Sequence, residues 1–307
     1  ENMPQELLEA RVVLIFKKGD SSDVGNYRPI SLLHSLYKLM AAVLKTRIAD
    51  TLDPFLQATQ FGFRKHRSTA QAIFLARRLL DISEKQGTHI SLILLDWEKA
   101  FDKVEHSRLL EALERLNIPS NMLGIIKAIY EEPRFKVVVS GVHSKYHIQQ
   151  TGIRQGCPLS PFLLILVMTV LMFDVRTRLN TKKQNEPIDG ISFADIIYAD
   201  DTLIFGTHTQ NLNKLLKEIE IESLYYNMRL NYKKCVNITA NQIQSSVKFE
   251  NGTLVPRAKQ AVYLGSILSD TCDNHIEINN RIADCICTAN RMRIFWNKAE
   301  NEENAII

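Results

Sequence analysis

The sequence has 307 residues, of which 45% are hydrophobic and 23% are charged, and its formal net charge is +4. This is the composition of an ordinary globular protein, and it excludes an intrinsically disordered chain. The small net charge excludes a strongly basic tail, so a nucleic-acid groove would need locally clustered lysines and arginines. Five irregularly spaced cysteines and no signal peptide predict a reducing compartment inside the cell.

The N-terminal part of the chain alternates between strand, loop and helix patterns. Val12–Phe16 predicts a strand, and a loop rich in Gly, Asp and Ser follows it. Two helices come next. The first, Leu36–Leu52, ends at an Asp-Pro pair, and the second, Thr69–Glu84, has apolar side chains at helical spacing.

A carboxylate follows the next predicted strand. Ile90–Leu95 is a short apolar run suited to a buried strand, and Asp96 comes directly after it. An ionised Asp at the end of a buried strand costs free energy unless it has a partner or a metal ion. Asp96 could also cap the following helical turn, and one side chain can hold both roles because a cap can still face a cleft.

Two further elements are predicted in the middle of the chain. Phe135–Val142 and Lys145–Thr151 predict a hairpin with its turn at 141–144. Phe162–Phe173 is an apolar run that follows a Ser-Pro pair, a favourable helix start, and it predicts a buried helix. Twelve residues are too few to cross a bilayer, so no membrane segment is predicted.

Two adjacent carboxylates lie in a predicted hairpin turn. Asp200 and Asp201 separate two strand-like runs, Ile191–Ile197 and Thr202–Phe205. Neighbouring carboxylates repel each other and cost stability unless a cation lies close, although Asp-Asp is also an ordinary turn pair. Mg²⁺ commonly binds through one or two carboxylates and substrate phosphates. Together with Asp96, the pair predicts a two-metal clamp for in-line phosphoryl transfer.

Five segments in order resemble the motifs of one family, the reverse transcriptases of non-LTR (LINE-type) retrotransposons. The segments are Asn26-Tyr27-Arg28-Pro29-Ile30-Ser31-Leu32, Gln60-Phe61-Gly62-Phe63-Arg64, Leu95-Asp96-Trp97-Glu98-Lys99-Ala100-Phe101-Asp102, Gly152-Ile153-Arg154-Gln155-Gly156-Cys157-Pro158-Leu159-Ser160-Pro161 and Tyr198-Ala199-Asp200-Asp201. The resemblance runs from about Val12 to Gly265 and so covers most of the chain.

The resemblance implies an α/β (α+β) right-hand polymerase fold. Fingers would cover 1–88, a palm with an antiparallel sheet backed by helices would cover 89–265 and include the hairpin of about 135–151, and 266–307 would begin an incomplete thumb. The implied activity is RNA-directed DNA synthesis, in which deoxynucleoside triphosphates extend a DNA primer on an RNA template. The implied role is target-primed copying of a retrotransposon RNA, at chromatin in a eukaryotic nucleus.

The resemblance also assigns roles to individual residues. The catalytic and metal-binding acids would be Asp96, Asp200 and Asp201, with two Mg²⁺ ions that Mn²⁺ can replace. Contacts to the incoming deoxynucleotide would come from Lys17, Lys18, Arg28, Phe101, Gln155, Gly156 and Lys234. Contacts to template and primer would come from Arg64, Tyr263, Leu264 and Gly265. In this family the aromatic side chain that matches Phe101 blocks a ribose 2′-hydroxyl.

Several of these residues also have a plain structural interpretation. The lysines and arginines could be solvated surface charges, and Phe101 could be ordinary core. Cys235 stands where the family usually has Thr or Ser. Asp195 lacks a second acid after it and is predicted to be a hydrogen-bonded structural residue. Cys285 and Cys287 match no common zinc spacing, so no zinc site is predicted. A non-catalytic nucleic-acid-binding remnant and an intron-maturase-like enzyme are the alternative functions.

Overall fold

The structure is a computed structural model that describes residues 3–179, 191–241 and 246–303. The helices of the described residues are α1 Gln5–Leu8, α2 Ser35–Leu52, α3 Thr69–Gln86, α4 Ala100–Lys103, α5 His106–Arg115, α6 Ser120–Glu131, α7 Ser160–Arg178, α8 Thr209–Tyr225 and α9 His275–Glu303. The strands are β1 Glu9–Phe16, β2 Tyr27–Leu33, β3 Ile90–Leu95, β4 Arg134–Val139, β5 Val142–His143, β6 His147–Ile148, β7 Asp195–Tyr198, β8 Asp201–Gly206, β9 Val236–Ala240, β10 Gln260–Tyr263 and β11 Ser266–Ser269.

A four-stranded sheet carries the predicted carboxylates at one edge. Its order is β7-β8-β3-β9, and all neighbouring strands are antiparallel. Successive side chains of β3 enter different cores, because a strand presents alternate residues to opposite faces. Ile90 and Leu92 pack with α3, whereas Ile93 and Leu95 belong to the core that contains α7 and α8. The predicted antiparallel sheet backed by helices is therefore confirmed.

A second sheet contains the N-terminal strands, and it corrects the predicted hairpin. Its order is β2-β1-β4-β5, with β6 also paired to β4, and β1 and β4 run parallel. The predicted turn at 141–144 is wrong: β4 and β5 are joined by Ser140 and Gly141, which have φ of 50° and 82°. A two-residue turn with positive φ at both positions matches the twist of paired strands. The hairpin therefore extends the N-terminal sheet and not the sheet of the carboxylates.

Helix α7 is longer than the predicted apolar run. It has 19 residues and a mean hydropathy of 1.7, so by length and composition it could cross a membrane, and among the described residues it alone meets that test. The expectation based on twelve residues was wrong on length. In this fold 72% of its most apolar stretch is buried inside the protein, against α5 and α8. Burial on all sides explains why its apolar residues form no single stripe.

The remaining predicted elements are confirmed with shifted ends. Helix α2 begins one residue before the prediction, and α3 runs two residues further. Helix α3 begins with a capping box, in which Ser68 and Gln71 satisfy each other's backbone N–H groups. Strand β1 begins at Glu9, earlier than predicted, because its first residues pair with β4. The region predicted to begin a thumb contains β11 and α9, and 304–307 lie outside the described residues.

Candidate active site

The two adjacent acids lie in a tight hairpin turn, as predicted. Tyr198 pairs with Asp201, so the turn consists of Ala199 and Asp200, and Asp201 is the first residue of β8. Ala199 has a φ of 59°. This left-handed conformation costs an L-residue other than glycine about 1–2 kcal/mol. The surrounding structure must therefore hold the turn in place.

The residue whose side chain binds both backbone polar groups of Ala199 is one that the sequence did not single out. Gln60 is 1% exposed, and its side-chain Oε1 accepts hydrogen bonds from the backbone N–H groups of Ala199, at 2.9 Å, and Gly62, at 2.8 Å. Its Nε2 donates to the carbonyl of Ala199 at 3.3 Å. The signal in the sequence was only that Gln60 belongs to one of the family-like segments. Its partner lies 139 residues away in the chain.

The third acid lies at the same edge of the sheet. Leu95 pairs with Thr202, so the next residue of the chain, Asp96, leaves β3 beside the start of β8. Burial raises the pKa of Asp200, and the charge of Asp96 raises it further. Partial burial, then repulsion from Asp200 and Asp96, raises the pKa of Asp201 to about 6. The structure therefore brings the three predicted acids into one electrostatic cluster.

Little positive charge offsets this cluster. Lys234 Nζ lies 4.0 Å from an oxygen of Asp96, and ion pairs within the described residues involve neither Asp200 nor Asp201. Burial raises the pKa of Asp96, and the charge of Lys234 opposes that rise. No group of three or more His, Cys, Asp or Glu side chains in the described residues is arranged to hold a metal ion by itself. An ion bound here would take its remaining oxygen ligands from water or substrate phosphates, as Mg²⁺ commonly does.

The segment that carries Lys234 is bonded directly to Asp96. The backbone N–H of Asn231 donates to the carbonyl of Asp96 at 2.8 Å, and the N–H of Asp96 donates to Cys235 Sγ at 3.5 Å. Burial raises the pKa of the Cys235 thiol to about 11, so this sulfur stays neutral. Cys235 therefore supports the strand end at the position where the resembling family has a hydroxyl.

A cavity of about 430 Å³ opens beside the acids. Its lining includes Asp96, Asp201, Lys234, Tyr263 and Leu264. Tyr263 is buried, and its hydroxyl donates to the carbonyl of Ile196 at 3.3 Å. Leu264 and Gly265 form a two-residue turn between β10 and β11, both with positive φ. The structure thus brings the first two residues of the predicted primer contact to the acids, and Gly265 completes their turn.

A second group of predicted nucleotide contacts lies where α4 meets the segment between β6 and α7. The carbonyl of Phe101 accepts a hydrogen bond from the N–H of Ile153 at 2.5 Å, and Gln155 Nε2 donates to the Asp102 carboxylate at 3.1 Å. Phe101 is half-buried and packs partly against the main core. These bonds join the segment of Phe101 and Asp102 to the segment of Ile153 and Gln155, and Gln155 lines a separate cavity of about 380 Å³.

The fold by itself accounts for glycine at position 156, and the predicted contact of Gly156 with the nucleotide stays a prediction. Its φ is 113°, and a Cβ added there would lie 2.5 Å from the carbonyl oxygen of Ser31. The N–H of Ser31 donates to the carbonyl of Gln155 at 2.7 Å, so the two segments are in direct backbone contact. The expectation that glycine permits close approach is correct, but the partner in this structure is β2.

Three basic residues near the connection between β1 and β2 are exposed, namely Lys17, Lys18 and Arg28. Lys17 lies close enough to Asp102 to oppose the rise in the pKa of that carboxyl, which burial causes. Arg28 lies opposite Ile15 in the sheet and alternates with Pro29, which lines the smaller cavity. Arg28 therefore faces away from that cavity. Its predicted contact with a nucleotide stays a prediction, as do those of Lys17 and Lys18.

Arg64 has a structural role in this fold, and its predicted contact with nucleic acid stays a prediction. Its side chain is 5% exposed and forms an ion pair with Asp53 at 2.8 Å. The guanidinium also donates to the carbonyls of Asp53, Gln57 and Gln60. These bonds use its donors inside the protein. Asp195 is structural as predicted, since its carboxylate accepts from Thr59 Oγ1 at 2.9 Å and pairs with Arg176.

Comparison with known proteins identifies relatives of this architecture. Residues 15–268 match the family described as reverse transcriptase (RNA-dependent DNA polymerase). The RNA-directed DNA polymerase from mobile element jockey of Drosophila melanogaster is 30% identical over 280 residues, which cover 86% of this chain and 29% of that protein. The Pol polyprotein from the R2 retrotransposable element of Popillia japonica is 26% identical, over 89% of this chain and 37% of its own length. The chain thus spans only about a third of these curated relatives.

Solved structures share the fold. The apo telomerase from Candida tropicalis, truncated from its C-terminal domain, aligns with a TM-score of 0.60 and 15% sequence identity. The alignment covers 88% of this chain and 55% of that one. Identity at this level supports the shared fold alone. That fold agrees with the predicted right-hand polymerase architecture.

Proposed function

Because this chain belongs to the reverse transcriptase (RNA-dependent DNA polymerase) family, we propose that it extends a DNA primer with deoxynucleotides on an RNA template. The observation that carries this proposal is the convergence of Asp96, Asp200 and Asp201 at one edge of an antiparallel sheet. Partial burial, together with repulsion from Asp200 and Asp96, raises the pKa of Asp201 to about 6. A cluster of this kind is costly to a fold unless it binds cations.

The donor set fits hard divalent cations. Asp96, Asp200 and Asp201 offer only oxygen ligands, and an arrangement incomplete by itself suits an ion that shares substrate phosphates. Two Mg²⁺ ions, or Mn²⁺ in their place, would lower the pKa of the primer 3′-hydroxyl and neutralise the triphosphate. The three acids would hold these ions.

Other side chains of the chain bind and orient the substrates. Lys234, which is exposed beside Asp96, would contribute a point charge to the triphosphate. Phe101 would lie against the sugar and exclude a 2′-hydroxyl. Tyr263 and Leu264, which line the same cavity as Asp96 and Asp201, would contact the primer end.

The template and setting of the reaction belong to the same proposal. Relatives named for the mobile elements jockey and R2 support the transcript of a mobile element as the RNA that is copied. Synthesis would start from a primer formed in the target DNA, at chromatin of a eukaryotic nucleus. The five cysteines are unpaired, in keeping with a reducing compartment.

Primer extension with Asp200→Asn tests the proposal. The substitution keeps the size of the side chain and removes its charge, so with Mg²⁺ and an RNA template the extension rate should fall by orders of magnitude. Binding of the template–primer duplex should persist, because lysines and arginines attract the phosphate backbone and a carboxylate does not. Asp50→Asn, on the exposed surface of α2, is the matched control and should extend like wild type.

Two results would contradict this assignment. Extension by Asp200→Asn at the wild-type rate would remove Asp200 from the reaction. A wild-type chain that binds the duplex and extends no primer would instead favour a non-catalytic nucleic-acid-binding role.

A further inference from the structure

We propose that Gln60 is a positioning residue for the acidic turn. Its buried amide holds Ala199 in the left-handed conformation and so fixes the directions of the Asp200 and Asp201 carboxylates. The clamp, meaning the three hydrogen bonds from the Gln60 side chain to Ala199 and Gly62, follows from the described contacts. Its consequence for nucleotide addition rests on the proposed function.

The side-chain amide of Gln60 matches the peptide groups of the turn. Its oxygen accepts from two backbone N–H groups, those of Ala199 and Gly62, and its nitrogen donates to the carbonyl of Ala199. Both polar groups of Ala199 are therefore bound by one side chain that is 1% exposed. Removing this amide would leave these groups unpaired in a place that water reaches poorly, which is costly.

The backbone around Gln60 forms a short extension of the sheet. The N–H of Phe61 donates to the carbonyl of Ile197 at 2.7 Å, and the N–H of Ile197 donates to the carbonyl of Thr59 at 2.8 Å. This parallel bridge covers the outer edge of β7, directly before the turn. The clamp is thereby attached to the strand that leads into the acids.

Gly62 fixes the distance between the clamp and the turn. A Cβ added to Gly62 would lie 2.3 Å from the backbone nitrogen of Ala199. The nearest atoms belong to backbone, so no side chain could move away to make room. A residue larger than glycine would therefore push the two segments apart.

Arg64 holds the same loop in place from the other side. Its guanidinium donates to the carbonyl of Gln60 at 3.0 Å and to that of Gln57 at 2.7 Å, while it pairs with Asp53 at the end of α2. Residues 57–64 thus form a braced loop, with Gln60 as its contact to the acidic turn. Because these bonds hold the loop against α2, the position of Gln60 does not depend on the acidic turn alone.

The test compares Gln60→Met with Gln57→Met in primer extension. Methionine keeps the length of glutamine and removes all three side-chain hydrogen bonds, two to Ala199 of the turn and one to Gly62. We expect kcat of Gln60→Met to fall by about tenfold to 100-fold, as for misplaced catalytic groups, with KM for the nucleotide and Kd for the duplex unchanged. Gln57 lies in the same loop, and its side chain donates only to Thr169 at 3.4 Å, so Gln57→Met should keep the wild-type kcat.

A rescue experiment separates positioning from packing. Glycine adopts positive φ without the penalty that Ala199 carries. Ala199→Gly should therefore restore part of the kcat lost in Gln60→Met. The kcat of the double variant, relative to wild type, should exceed the product of the relative kcat values of the two single variants. Gly62→Ala should lower kcat even with Gln60 present, because it displaces the turn directly.

Amide hydrogen exchange tests the clamp without reference to activity. The N–H groups of Ala199 and Gly62 should exchange faster in Gln60→Met than in wild type. Their exchange rates in Gln57→Met should equal those of wild type. Unchanged exchange at both amides would overturn the clamp. Faster exchange with wild-type kcat, or a loss in melting temperature alone, would overturn its role in the reaction. If the wild-type chain extends no primer, the proposed function fails while the exchange result still decides the clamp.

Discussion

At the scale of single residues, the acids at the sheet edge work against the stability of the fold. Asp201 keeps access to solvent, yet partial burial and the charges of Asp200 and Asp96 raise its pKa to about 6. A carboxyl with a raised pKa binds its proton more tightly when folded than when unfolded. Its ionised form therefore destabilises the protein at any pH above that value, and the penalty fades as the pH falls.

We predict that Asp201→Asn melts at a higher temperature than wild type at pH 8 in buffer with EDTA. The difference should shrink as the pH falls below about 6 and vanish near the ordinary Asp pKa of about 4. Mg²⁺ should stabilise wild type more than the variant. Thermal unfolding across this pH series measures the effect, with Asp50→Asn to report the loss of one surface charge. An equal difference at every pH would contradict the prediction.

Phe101 carries the second prediction at this scale. Phe101→Val should admit a ribose 2′-hydroxyl and raise ribonucleotide incorporation relative to deoxynucleotide incorporation. The ratio of kcat/KM for the two nucleotide classes is the measurement, because specificity is a ratio of these constants. Phe193→Val, another half-buried aromatic, controls for lost packing. An unchanged ratio would make Phe101 a core residue only.

At the scale of elements, the loop between α2 and α3 is a braced unit. Arg64 joins the end of α2 to the loop that touches the acidic turn. The ion pair with Asp53 is sheltered at Arg64, whereas Asp53 remains 33% exposed. Bonds to the guanidinium of Arg64 lower the pKa of Asp53. Loss of Arg64 would therefore remove a fixed corner of the fold.

Arg64→Ala should destabilise the protein and leave the salt dependence of duplex binding unchanged. We expect a loss of roughly 2–3 kcal/mol in the free energy of unfolding, below the value of about 3–5 for fully buried pairs because Asp53 is partly hydrated. Chemical denaturation measures it. Lys65→Ala is the control, since Lys65 is exposed and should cost little stability. A flatter slope of log K against log salt for Arg64→Ala would show that Arg64 contacts phosphates of the duplex.

At the scale of the whole molecule, a net charge of +4 gives no general attraction to nucleic acid. The proposed binding of template and primer would therefore depend on a few exposed lysines and arginines. Lys65 lies beside the braced loop, and Lys234 lies beside the acids. Contacts of this kind act on phosphates and carry no sequence information.

Duplex binding should therefore depend on salt and little on sequence. Each phosphate contact that is lost, for example in Lys65→Ala, should flatten the slope of log K against log salt by about one unit and weaken binding to all sequences alike. Titrations with two unrelated template–primer duplexes at several salt concentrations measure this. Salt-independent binding, or a loss confined to one sequence, would contradict it.

The sequence by itself determined the features that depend on neighbouring residues. The bounds of β3 were predicted to the residue, since a continuous apolar run followed by Asp marks a buried strand and its end. The helices α2 and α3 followed from periodicity and end signals, and the acidic hairpin followed from two strand-like runs around a turn. The three acids were identified in the same way, because they stand where these local patterns stop.

Only the tertiary structure decided the features that depend on distant partners. β1 is longer than its pattern because β4 pairs with it, and the hairpin after β4 joins the N-terminal sheet for the same reason. Arg64 looked like a surface charge and is buried by carbonyls of its own loop. The contact of Gln60 with the acidic turn has no local signal in the sequence, because its partner Ala199 is 139 residues away. Periodicity reports which face of an element is buried, but not which atoms of another segment will meet it there.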